Sequence, residues 1–182
     1  MSVLRTVVVV VVIEILGGLI FIYSGWFDVA ASSGHSPLVR WILDTTFDHS
    51  VEAHSAGISP PSLDDPALIE QGFKRYDRHC AGCHGTPGHS ETFMQKSLTP
   101  RPPALDKQGN LAQESAAQAF WVIKHGVKMT AMPAWEVEYS DDQIWQLVAF
   151  LKKLPSLSPE EYQKLKQAEQ IGSSQPAPST SD

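Results

Sequence analysis

Both cysteines of the chain lie in one pentapeptide, Cys80-Ala81-Gly82-Cys83-His84, and no other stretch constrains the fold as strongly. Three readings compete for it. A redox-active CxxC of the thioredoxin kind expects a strand-helix-strand setting, which the flanking sequence lacks. A structural zinc site needs four ligands, and no second CxxC or HxxxH pair supplies the rest. The third reading is covalent attachment of a c-type haem: the two thiols add to the vinyl groups, and the next imidazole binds iron from the same side. Two thioethers separated by two residues match the width of a porphyrin edge, and the turn they fix carries His84 over the metal. The absence of any further cysteine agrees with this reading.

The surrounding sequence calls for such a filler. At 182 residues the chain has room for one ordinary domain plus extensions. Residues 66–154 show no β-alternation of useful length and no internal repeat. Three helices are expected there. In the first, Asp65 caps, Pro66 opens, and Ile69, Gly72, Phe73 and Tyr76 share a face, leading into the CxxCH. The second runs from Gln113 to His125 and stops at Gly126. The third begins with a Ser140/Gln143 capping box and carries Ile144, Leu147, Val148, Leu151 and Leu154 on one stripe, up to Pro155. Residues 85–112 read as loop. Helices no longer than about 15 residues with connections this long make a poorly supported globule unless something else fills the middle.

At the N-terminus, Thr6 to Phe27 is a run of 22 residues whose only charge is Glu14. As a helix it reaches roughly 33 Å, enough for a hydrocarbon core of about 30 Å. A cleavable secretory signal is the alternative, with Val29-Ala30-Ala31 as a small-residue cleavage site. The apolar run exceeds the usual signal core, which favours a retained anchor over residues 1–28. Arg5, the one basic residue before the span, points to a cytoplasmic N-terminus and an exported remainder. Glu14 near mid-span is costly unless protonated or facing a polar group on another membrane subunit, and Gly17-Gly18 would let a neighbouring helix approach.

Residues 29–65 hold an amphipathic helix beginning at Pro37 and a proline-rich joint, Ser59 to Pro66. That helix would lie on the bilayer surface, against a partner, or on its own domain; its sequence does not separate these. Residues 155–182 read as an exposed helix followed by a disordered tail. The formal charge of -6, from 14 Lys+Arg against 20 Asp+Glu, lacks the basic footprint that nucleic acid requires.

CAGCHG after an amphipathic helix with Gly72 and Tyr76, then GVKMTAMPAW, then DDQIWQLVAFLKKL, resembles class I cytochrome c. It is similar to the membrane-anchored bacterial monohaem cytochromes of the cbb3-subunit-like group, over residues 66–154. The resemblance implies an all-α class I cytochrome c domain, three main helices around one covalent haem c, behind one transmembrane helix. It implies Cys80 and Cys83 as attachment points, His84 as proximal iron ligand and Met132 as sixth ligand, with Met129 a neighbour. It implies that Pro103 offers its carbonyl to His84, that Gly72 and Phe150 mark a helix crossing, and that Arg101 and Trp135 reach haem propionates.

The implied function is that of a single-electron carrier on the periplasmic side of the bacterial inner membrane, in a respiratory-type chain. It would be a subunit of, or a tethered carrier to, a larger membrane oxidoreductase. Its redox partner proteins would be a quinol-oxidising complex or dehydrogenase as donor and a terminal oxidase or reductase as acceptor. With both axial positions filled it would not be an enzyme in itself. The alternative is a haem sensor whose methionine dissociates to admit a small ligand.

Other residues read more plainly. His125 at a helix end suits the helix dipole, with ligation of iron a secondary option. His79 and His89 read as exposed, and His35, His49 and His54 do not share a helical face. Lys152 and Lys153 complement the last helix's dipole, and the acidic balance departs from a lysine-ringed docking face. Tethering in the same membrane would replace such a face by raising a partner's effective concentration.

Overall fold

The computed structural model describes residues 2–174, with side chains to Ile171. It divides at Gly34 into two units. The first holds α1, Val3–Tyr23, a helix with no buried residue and long and apolar enough to cross a membrane. It ends earlier than the apolar run: the Ser24 hydroxyl donates to the Phe21 carbonyl and Gly25 takes φ 67°. Trp26 and Phe27 therefore follow the helix rather than extend it.

The second unit is all-helical among the described residues, apart from one isolated bridge, Thr86 to His89. In chain order come α2 (Pro37–Ser55), α3 (Pro66–Arg75), a wide π-type turn (Tyr76–Cys80) and α4 (Ala81–His84). Then follow α5 (Phe93–Ser97), α6 (Leu111–Glu114), α7 (Ala116–His125), α8 (Asp141–Lys153) and α9 (Pro159–Ser174). The three helices expected from periodicity are α3, α7 and α8. Their caps form as read: Asp65 accepts from Ala67, and Ser140 and Gln143 close a capping box.

The expected helix from Gln113 is broken. Ser115 is extended, with φ -149° and ψ 107°, and its hydroxyl accepts from the Gln118 amide, so it caps α7 rather than continuing α6. The stretch 85–112 is not all loop either, because Thr92 and Gln95 make a capping box that opens α5.

Gly72 fixes the crossing of α3 and α8. A Cβ there would lie 1.9 Å from the Gln146 carbonyl oxygen and 2.8 Å from the Phe150 Cβ, so only glycine lets the two backbones meet. Around the contact the rings of Phe73, Phe150, Tyr76 and Tyr162 pack edge-on or tilted, with centroids 5.3–5.5 Å apart. Ile144, Leu147, Val148 and Leu154 complete the core.

α9 is more than the exposed helix expected from its sequence. Its Tyr162 is 1% exposed, packs on Phe73 and donates to Asp77 at 2.9 Å, while Lys166 reaches the same carboxylate at 3.1 Å. One aromatic residue carries the anchoring, which a periodicity search does not register. Residues 172–174 extend this helix rather than beginning the expected tail, and 175–182 lie outside the described residues.

α2 packs its C-terminal half on α7: Val51 and Ser55 are buried, and the His54 ring lies 5.3 Å from that of Trp121. Gly72→Val is expected to destabilise the domain by about 2 kcal/mol or more through overpacking, seen as a lowered unfolding midpoint in denaturant.

Candidate functional site

The π-type turn delivers the cysteines. Its Tyr76 carbonyl accepts from the Ala81 amide, and the widened turn leads Cys80 into α4, whose last residue is His84. Four groups then hold the backbone of this motif. Thr92 Oγ1 donates to the Cys83 carbonyl at 3.3 Å, and Gln95 Nε2 and the Leu105 amide reach the His84 carbonyl at 3.5 and 3.3 Å. The buried Tyr76 hydroxyl donates to the Gly85 carbonyl at 2.6 Å. Desolvation pushes the Tyr76 hydroxyl well above the usual phenol range, so it stays protonated and a donor. Gly85 makes the exit, at φ 81°, where a Cβ would meet the Ser90 backbone at 2.9 Å.

His84 has one nitrogen committed. Its Nδ1 lies 2.9 Å from the Pro103 carbonyl oxygen, the proline expected from the sequence, which makes Nδ1 the protonated donor and leaves Nε2 with its lone pair. Burial holds the imidazole below its ordinary pKa, with the Pro103 bond partly opposing, so the ring is neutral at neutral pH.

Cys80 and Cys83 are both free thiols. Burial, and secondarily Cys83, pushes the Cys80 thiol up to about 12. In this setting the Cys80 thiol is protonated at neutral pH. Among the described residues no group of three or more His, Cys, Asp or Glu could hold a metal ion.

The methionine loop leaves α7 at Gly126, where φ is 65° and a Cβ would lie 2.6 Å from the Ala134 amide nitrogen. It closes on itself: the Val127 amide donates to the Met132 carbonyl at 3.1 Å, and Thr130 Oγ1 donates to the Val127 carbonyl and accepts from the Met132 amide. The two sulfurs separate as a result. Met129 stands at the tip with φ 60° and 99% exposure. Met132 is half-buried and packs on the core alongside Cys80, Leu105, Leu111 and Trp135.

Trp135 connects this loop to the cysteines: it stacks on Tyr139, lies 5.5 Å from the His79 ring, and Tyr139 in turn lies under the Arg75 guanidinium. That cluster was not foreseen, although the aromatic residues and the position of His79 beside Cys80 were visible. Arg101, expected with Trp135 at a propionate, is exposed. His125 pairs with Glu136 at 3.5 Å and its ring lies tilted 5.2 Å from that of Trp121, a setting that accounts for it without iron.

A family model described as cytochrome c oxidase, cbb3-type, subunit III matches residues 67–151. This segment is a cytochrome c domain of the cbb3-type family. No curated protein matches the chain. Among solved structures, the crystal structure of cytochrome CL from the marine methylotrophic bacterium Methylophaga aminisulfidivorans is similar over 82% of this chain and 86% of that one. The identity is 17% and the TM-score 0.39.

The cofactor of the cytochrome domain is haem c, covalently bound and holding iron, and its work is haem-based electron transfer. The donor set fits that group: two unbridged thiols on one turn, a neutral imidazole with its outer nitrogen fixed, and a soft thioether turned to the core. Changing Cys80 and Cys83 together to serine is expected to abolish the haem that survives a denaturing gel. Either single change should leave one thioether and a red-shifted band in the reduced spectrum.

Proposed function

We propose that the chain is a membrane-anchored monohaem cytochrome c, holding its iron between His84 and Met132 and passing single electrons on the periplasmic side of the bacterial inner membrane. The observation that carries the ligand assignment is the contrast between the two methionines. Met132 is half-buried and packs against the apolar core, while Met129 projects into solvent. Imidazole opposite thioether raises the reduction potential relative to two nitrogen ligands, which suits the high-potential end of a respiratory-type chain. With both axial positions taken, the domain carries electrons rather than transforming a substrate.

α1 anchors the domain, so that its electron donor is a quinol-oxidising complex or dehydrogenase and its acceptor a terminal oxidase or reductase in the same membrane. The family model's oxidase subunit supports a fixed place in such a complex. Glu14, with Gly17 and Gly18 about one turn further on and no side chain of their own, offers the face on which a neighbouring helix of that complex would sit.

Met132→Ala is expected to remove the weak far-red band of the oxidised protein that reports sulfur-to-iron coordination, and to lower the potential. Met129→Leu should leave both unchanged, and swapped outcomes would assign the other sulfur. In mild detergent the native protein should migrate on native gels with other subunits, and Glu14→Leu should shift it toward a lone chain of about 20 kDa.

A further inference from the structure

α2 carries two apolar faces, and only one of them is used. Val51 and Ser55 are buried and Val39 and Phe47 half-buried, with Leu43 between them 49% exposed. On the opposite side Leu38, Trp41 and Ile42, spaced i, i+3, i+4, are 64%, 62% and 47% exposed. Between the faces runs a polar strip, where Arg40 pairs with Asp44 at 3.6 Å and Asp48 follows.

The outward apolar patch does not continue along the helix. Past Thr45 the same side presents His49 and Glu52, which pair at 3.7 Å. A helix or strand docking lengthwise would need apolar contacts beyond two turns. A bilayer surface met by one end of the helix would not.

The end in question is the one nearest the anchor. Ser24 to Ser36, the link from α1, spans 13 residues and cannot exceed roughly 45 Å even fully extended. Trp26 and Phe27 open that link with exposed rings, residue types that settle at the headgroup level.

We propose that Leu38, Trp41 and Ile42 insert into the headgroup boundary of the outer leaflet, so that α2 lies between the bilayer and its own domain. The inference rests on the anchoring of α1 proposed above. Charge attraction plays no part, because Asp44, Asp48 and Glu52 surround the patch and Arg40 is already paired. Zwitterionic lipid suffices, and tethering by α1 makes a weak apolar contact persist.

The consequence is a fixed presentation. α2 bears on α7 through Val51, Ser55 and the His54–Trp121 contact, and α7 leads directly into the loop that holds Met132. A bilayer holding α2 would therefore set which side of the haem domain faces partners in the membrane plane.

The test places the photoreactive residue p-benzoylphenylalanine at position 41, and separately at position 52, in the full haem-loaded chain reconstituted into phosphatidylcholine nanodiscs and irradiated. Co-elution of chain and nanodisc is read first and reports the anchor. A chain that fails to enter the discs overturns both readings. Given incorporation, lipid-mass adducts at position 41 and none at position 52 are expected. No adduct at position 41, equal adducts at both positions, or protein adducts at position 41 in native membranes in place of lipid would overturn the docking of α2 while leaving the anchor intact.

Discussion

The contact on which the domain depends is the close passage of α3 over α8 at Gly72. Because no Cβ intervenes, the two backbones meet and the rings of Phe73, Tyr76 and Phe150 close around the point of contact. Tyr76 is at once a core ring and the first residue of the wide turn that carries Cys80, and its hydroxyl reaches across to the Gly85 carbonyl at the far end of the motif. Helix packing thus sets the position of the haem-attachment turn. α9 braces the same turn from outside, through Tyr162 and Lys166 on Asp77 and through Arg78 on Glu169.

A second constraint acts on the loop between α7 and α8. Gly126 lets that loop fold back against its own far end, and the hydrogen bonds of Val127, Thr130 and Met132 leave one methionine out and one in. The left-handed backbone of Met129 belongs to this tightness: a residue at the tip of a six-residue closure takes the strain, and its side chain has no packing role. Iron chemistry would then complete what the backbone begins, with a soft sulfur held where the interior is apolar.

Much of this was legible in the sequence where local chemistry decides. Pro37, Asp65-Pro66 and the Ser140/Gln143 box start helices where they stand, Gly126 ends one, and Pro103 meets His84 as its place after the motif implied. The parts that escaped depend on single residues whose meaning is set by distant partners. Ser115 interrupts an apolar pattern that otherwise reads as continuous, and its role as a cap shows only in its backbone angles. Tyr162 is one aromatic in a polar helix, and nothing in its neighbourhood announces that it enters the core. The Thr92/Gln95 box, by contrast, carried a readable signal that the glycine- and proline-rich surroundings masked. At the site, residue types and spacing identified the haem motif and the family resemblance favoured Met132 over Met129, while the outward turn of one side chain and the inward turn of the other follow from loop geometry that no periodicity encodes.

The central claim is that one thioether, that of Met132, sits over the haem of a domain whose framework is set by the Gly72 crossing. Proton NMR of the reduced full-length protein tests it most directly, because the haem ring current shifts the methyl of a coordinated methionine far upfield of every other resonance. The account predicts one such methyl, assigned through its side-chain correlations to Met132. A spectrum without it, or with the shifted methyl assigned to Met129, would contradict the account.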